Sequence, residues 1–181
     1  MANTATFSPS NTPSQPPFLV NPKPLLYTSN LAKYCLEHMF PVNSLQERRS
    51  ALSERLGKIK DKDEKLKFII ELGKSMDEMD VKFKLDQFLV KGCISKAWLF
   101  PKFEGGKVQF MADSEAMIVK GIIAVLLEVY NNSSPDEILS EDGSFLAELG
   151  ITEHLSMNRR NGLSNVLKMI HNYAGAFKAQ S

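Results

Sequence analysis

Cysteine is scarce in this chain. Cys35 and Cys93 are the only two in 181 residues, too few for a disulfide framework and consistent with a reducing compartment. They lack C-x-x-C spacing, and His38, His154 and His171 form no pattern with them that suggests zinc, so no metal site is expected. An excess of either charge is missing too. Lys and Arg total 22 against 21 Asp and Glu, and the net charge of +1 removes any global case for nucleic acid or an acidic membrane surface. No dense Lys/Arg run supplies a local one. Arginine is absent before Arg48, and the N-terminal segment has neither the basic start nor the apolar block of a secretory signal. The apolar stretch from Ala116 to Tyr130 is shorter than the ~20 residues that span a bilayer.

What remains is ordinary for a globular protein: 43% hydrophobic and 24% charged residues, with a length that favours one domain. Residues 1–29 read as a disordered tail. Met1 to Pro24 is rich in Ser, Thr, Asn and Pro with Lys23 its only charged side chain, and it has too little apolar surface to offset the entropy of ordering. Its acid-poor, hydroxyl-rich composition also raises an organelle transit peptide over residues 1 to about 24; the preferred reading is a tail on a cytoplasmic protein.

The domain is expected over 30–181. Leu31, Tyr34, Cys35 and Met39 recur at helical spacing until Pro41, which predicts a helix over 30–43 with Cys35 on its packed face. Ser44-Leu45-Gln46-Glu47 is a capping box for a helix carrying Leu45, Leu52 and Leu56 and stopping at Gly57. Asp63 is expected to cap the next, whose face is Leu66, Ile69, Ile70 and Leu72 and whose end is Gly73. The period then changes. Phe83, Leu85 and Gln87 alternate as a weak strand; Ala97 to Phe103 is a second, at an edge because of Pro101; Val108, Phe110 and Ala112 mark a third. Glu104-Gly105-Gly106-Lys107 joins the last two as a hairpin. Asp113 or Ser114 should cap the helix over 116–130, which is apolar all round and therefore buried. Ser134-Pro135-Asp136-Glu137 opens a short helix with a capping box and proline at its first position. Another runs from Phe145 to Leu149 and ends at Gly150. The last begins near Asn158 with Leu163, Val166, Leu167, Ile170, Tyr173, Ala174 and Phe177 on one face, leaving His171 as a surface residue. The fold class is α+β: a small antiparallel three-stranded sheet with helices packed on one face.

Cys93 sits at the turn between the first two expected strands, directly after Gly92, which frees the backbone for φ > 0. Lys91 and Lys96 flank it, and nearby cations lower a thiol's pKa and raise its thiolate fraction. The same cysteine also reads as a buried small hydrophobe; residue order alone leaves both open.

Three blocks carry a resemblance. Gly92-Cys93-x-Ser95-x-x-Trp98, then Ala112-Asp113-Ser114-Glu115-Ala116-x-Ile118-Val119-Lys120-Gly121, then His154-Leu155-Ser156-x-x-Arg159-x-Asn161-Gly162-Leu163 resemble the SufE family of sulfur-acceptor proteins, and Ile70-Glu71-Leu72-Gly73 matches that family's second helix. The similarity runs from about Arg48 to the C-terminus. It implies a sandwich related to iron–sulfur scaffold proteins. It also implies that Cys93 attacks the persulfide of a pyridoxal-phosphate-dependent cysteine desulfurase, becomes a persulfide itself, and passes the sulfur toward iron–sulfur cluster assembly. The cofactor belongs to that partner, so none is expected here. The resemblance makes the chain a sulfur-transfer protein that stimulates the desulfurase, not a stand-alone turnover enzyme. Arg159 falls on the family arginine, implying a role near the cysteine loop or at the desulfurase contact, with Ser95 and Lys96 in the same contact and Gly92 and Trp98 supporting the loop. The chain departs from the family at Ile94 and Lys96, where glutamine is common, at Ala97 in place of valine, and at Met157-Asn158 in place of Pro-Ser.

A persulfide exposed to water and oxidant would be lost, so the loop is expected to tuck Cys93 against apolar neighbours and swing it out on docking. Ile94 and Trp98 are candidates for the shelter, with a plain packing role as the alternative for Trp98. Two rival classes stand beside the carrier: a regulatory interaction module of a desulfurase in which Cys93 is incidental, and a redox-sensing thiol protein.

Overall fold

The structure, a computed structural model, describes residues 44–93 and 95–180, with His154 by its backbone alone. The expected tail over 1–29, the expected helix over 30–43 with Cys35, and Ile94 lie outside the described residues.

Ser44 and Glu47 cap the first helix reciprocally. The Ser44 hydroxyl accepts from the Glu47 amide at 3.3 Å, and the Glu47 carboxylate accepts from the Ser44 amide at 2.9 Å, at the start of α1 (Leu45–Gly57). Leu45, Leu52 and Leu56 form its buried stripe. The cap of α2 (Lys62–Ser75) is Asp61, not Asp63. Its carboxylate accepts from the Glu64 amide at 2.9 Å, which leaves Asp63 in the first turn, where the helix dipole favours its charge.

Gly73 does not end α2; the helix passes through it. The reason is the crossing with α3 (Met117–Tyr130), at which Gly73 and Gly121 are both buried. A Cβ on Gly73 would lie 2.6 Å from the Gly121 amide nitrogen, and one on Gly121 would collide with the Ile69 carbonyl oxygen. Glycine serves close backbone approach here. Beyond this crossing α3 is buried from Lys120 to Leu127 and again at Val129 and Tyr130, as its all-round apolar sequence requires. Its N-cap is Ala116, with no side-chain cap bond, in place of the expected Asp113 or Ser114. Those two end β2, and the Ser114 hydroxyl reaches the Ala116 amide only at 3.3 Å.

β1 (Ala97–Glu104) and β2 (Lys107–Ser114) pair antiparallel from Ala97↔Ser114 to Glu104↔Lys107. Gly105 and Gly106 join them at φ 57° and 76°, the positive pair a tight hairpin needs. Alternation puts Ala97, Leu99, Val108, Phe110 and Ala112 into the main core and Trp98 and Phe100 on the opposite face. Among the described residues the sheet has these two strands, not three. The stretch around Phe83 and Gln87 forms 3₁₀ turns at Val81–Phe83 and Asp86–Phe88, then a single bridge from Leu89 to Trp98. Aromatic spacing explains the change. Phe83 and Phe88 both pack on the Phe100 ring, at 4.5 and 4.9 Å between centroids, and residues an odd number apart would face opposite sides of a strand.

The outer edge of β2 is closed without a strand. Asn131 accepts from the Phe110 amide at 2.6 Å and donates to the Phe110 carbonyl at 3.3 Å. Alongside, Val108 donates to Ser133 and accepts from Asn132, both at 2.8 Å. Pro101 lies within β1, in a sheet whose two strands are both edges.

Three helices complete the layer on the core face. Ser134 and Glu137 form the expected capping box of α4 (Pro135–Ser140), with Pro135 at its start. A single turn, α5 (Phe145–Glu148), follows. Then α6 (Met157–Lys178) lays Leu163, Val166, Ile170 and Ala174 into the core and stacks Phe177 on Phe103 at 5.0 Å. His171 is half-buried, not at the surface: its ring meets Tyr130 edge-on at 6.0 Å, and its Nε2 is enclosed. The chain is thus α+β, with helices on one face of a small antiparallel sheet.

The glycine crossing is expected to tolerate no methyl group. Gly121→Ala should lower stability by about 1–3 kcal/mol, the usual cost of overpacking, in urea unfolding. Gly57→Ala, with nothing within 4 Å of the added atom, should leave it unchanged or slightly raised.

Candidate functional site

The loop carrying Cys93 is pinned at three points. At its neck the Val90 amide donates to the Ala97 carbonyl at 2.8 Å. On its leading side the Lys91 carbonyl accepts from the Asn165 side-chain amide of α6 at 2.9 Å. On its trailing side the Lys96 carbonyl accepts from the Ser114 hydroxyl at 2.9 Å and the Glu115 amide at 3.0 Å. Gly92 takes φ 77°, which a side chain would resist, and a Cβ there would lie 2.6 Å from the Asn165 amide nitrogen.

Between these ties Cys93 is half-buried against the main core. Its sulfur lies over Gly162 of α6, where an added Cβ would stand 2.8 Å from Sγ. Burial pushes the thiol's pKa up. This corrects the expectation that Lys91 and Lys96 would lower it. Both lysines are exposed, where water screens their charge, and desolvation of the sulfur dominates.

Trp98 is buried but lies outside the main core that Cys93 joins. The Lys84 ammonium sits 5.6 Å from its ring centroid. Lys84 also reaches Asp113 at 2.6 Å, and Lys120 meets the same carboxylate at 3.0 Å. Asp113 and Lys120 are both buried. Burial alone would raise the Asp113 pKa, yet hydrogen bonds from the two lysines and the Ser114 amide hold it below its ordinary value. This group fixes the end of β2, whose Ser114 hydroxyl in turn holds the Lys96 carbonyl. Ser95 is half-buried in the loop. Arg159 is exposed at the start of α6, one turn before Gly162, and makes no ion pair among the described residues. Spacing of three places it on the Gly162 face. Sequence reasoning named the cysteine, its glycine and the arginine; the structure sets the first two in the loop and leaves Arg159 exposed on α6. It did not name Asn165, quoted Gly162 without a role, and took Asp113 as a helix cap where it holds two lysines.

Among the described residues no cluster of three His, Cys, Asp or Glu could hold a metal ion. None of their helices is long and apolar enough to cross a membrane.

Residues 50–174, which include the whole cysteine loop and both of its contacts on α6, match the family described as SufE: Fe-S metabolism associated domain. The chain belongs to the SufE family. It is 31% identical over 125 residues to an uncharacterised SufE-like protein of Synechocystis sp., covering 69% of this chain and 79% of that one. An uncharacterised SufE-like protein of Rhizobium etli is 32% identical over 119 residues, 63% of this chain and 80% of the relative. The solution structure of a hypothetical protein from Thermus thermophilus shares the fold, with a TM-score of 0.62 at 20% identity over 71% of this chain and 94% of that one. Membership of SufE associates the protein with iron–sulfur metabolism.

Because burial disfavours the charged form, alkylation of Cys93 should reach half its limiting rate at a higher pH than an unhindered thiol does. Site-resolved mass mapping across pH 7 to about 11 checks this; a midpoint at or below that of free cysteine would mean that the lysines prevail.

Proposed function

We propose that Cys93 accepts sulfur from a pyridoxal-phosphate-dependent cysteine desulfurase and passes it toward iron–sulfur cluster assembly. The observation that carries this reading is the placement of the thiol: half-buried beside a glycine, on a loop tied down by its flanking carbonyls. SufE membership supports it.

The transfer balances without an added oxidant or reductant. The Cys93 thiolate attacks the outer sulfur of the desulfurase's cysteine persulfide. A new S–S bond forms to Cys93 as the old one breaks, and the electron pair leaves on the desulfurase cysteine as a thiolate, which can take up the proton Cys93 gave up. At rest, burial lowers the thiolate fraction of Cys93 below that of an exposed thiol. Docking that lifts the sulfur into water removes the desolvation that raised its pKa, and Lys91 and Lys96 then favour the thiolate. Sheltering the thiol also limits irreversible oxidation between transfers. Ser95, Lys96 and Arg159 form the partner contact, and the pyridoxal phosphate stays with the desulfurase.

Incubation with a cysteine desulfurase and L-cysteine should add one sulfur atom to the intact mass, removable by reductant and absent in Cys93→Ser. Retained stimulation of the desulfurase by Cys93→Ser would make the domain a regulator. A mass gain that needs peroxide in place of cysteine would make it a redox sensor.

Arg159 is solvent-exposed without an ion pair among the described residues, so Arg159→Ala should keep the thermal transition of the parent. It should weaken desulfurase coupling by about 1–2 kcal/mol, in the range of an interface arginine, read as the concentration giving half-maximal stimulation. Loss of the folded state would instead mark the arginine as structural.

A further inference from the structure

We infer that Asn165 and Gly162 of α6 form a latch that sets how far Cys93 is exposed, with Asn165 a positioning residue for the loop and Gly162 the seat of the sulfur. The inference rests on Cys93 being the sulfur-accepting residue, and it assigns the control of that thiol to two positions three apart on one helix face.

The two contacts act on different parts of the loop. Asn165 holds the backbone through the Lys91 carbonyl at 2.9 Å, a bond between residues 74 apart in the chain. Its approach needs Gly92, since any Cβ there would stand 2.6 Å from the donating nitrogen. Gly162 leaves open the space that the sulfur fills, for its own Cβ would stand 2.8 Å from Sγ. The loop is also held unequally. Its trailing end has two donors to the Lys96 carbonyl, one of them a backbone amide. Its leading end has, among the described residues, a single side-chain donor, Asn165 on the Lys91 carbonyl, in a bond that lies near the surface. One neutral hydrogen bond of this kind shifts a closed-to-open ratio by roughly threefold to tenfold, which a docking partner can overcome by binding the open form better. The loop therefore opens from the Lys91 side and pivots on Lys96.

The test is alkylation of Cys93 by iodoacetamide in the full chain, read on the Cys93 peptide so that Cys35 does not contribute, as a function of pH. Asn165→Ala should raise the neutral-pH rate about threefold to tenfold and move the pH midpoint down toward that of a free thiol. Gly162→Ala should do more, because methyl and sulfur cannot share the site. The charged groups around the loop (Lys91, Lys96, Glu115 beside Lys96, and Arg159) are unchanged in these variants, so a midpoint shift reports exposure of the sulfur. Ser164→Ala, an exposed neighbour on α6, should match the parent. If Asn165→Ala loses its thermal transition, Asn165→Leu keeps the bulk without the donor and is read the same way. A folded Asn165 variant with the parent's rate and midpoint would overturn the latch. No desulfurase enters this measurement: a latch that opens in a protein that takes up no sulfur would sink the carrier reading alone.

Discussion

The backbones of α2 and α3 meet at Gly73 and Gly121 with no room for a methyl group between them, and the rest of the domain is arranged around that crossing. It draws α3 so far inward that ten of its fourteen residues are buried. The hairpin then packs Leu99, Val108, Phe110 and Ala112 into the same core, and α6 adds Leu163, Val166, Ile170 and Ala174. Fixing α6 and the end of β2 relative to one another is what gives the cysteine loop two stationary supports. The loop is a bridge between them, with Asn165 on one side and Ser114 with Glu115 on the other.

Two opposed influences act on the thiol. Burial against the core disfavours its charged form; the lysines on either side of it favour that form but reach it weakly across water. Burial prevails at rest. Exposure of the sulfur to water would reverse this order of strengths. The Lys84–Asp113–Lys120 group secures the strand end whose Ser114 hydroxyl holds the trailing side of the loop.

Much of the architecture was legible in the residue order because local rules carried it. Ser44 with Glu47 and Ser134 with Glu137 form capping boxes, the Gly105-Gly106 pair makes the hairpin, and the all-apolar run to Tyr130 is the buried helix. Apart from the cap of α2, where Asp61 and Asp63 compete locally, the misreadings share a physical cause, namely tertiary contact overriding a local pattern. Gly73 resembles a helix stop until Gly121 is seen against it. Phe83 and Phe88 resemble a strand's neighbourhood until both are found on the Phe100 ring. Asp113 resembles a cap until two lysines claim its carboxylate. In the site, Cys93 and Gly92 were legible because the turn is local. Asn165 was not, because its bond spans 74 residues and an asparagine at mid-helix carries no sign of its acceptor. The direction of the thiol's pKa shift was misread for the related reason that flanking charge is visible in a sequence and desolvation is not.

A sheet of two strands has two open margins, and unpaired margins invite other chains to add to them. Here one margin is satisfied by the amide of Asn131, which answers both polar groups of Phe110 as a neighbouring strand would. The other is interrupted by Pro101, which has no N–H to offer. Neither margin is thus left as a continuous row of unpaired groups on which another chain could extend the sheet.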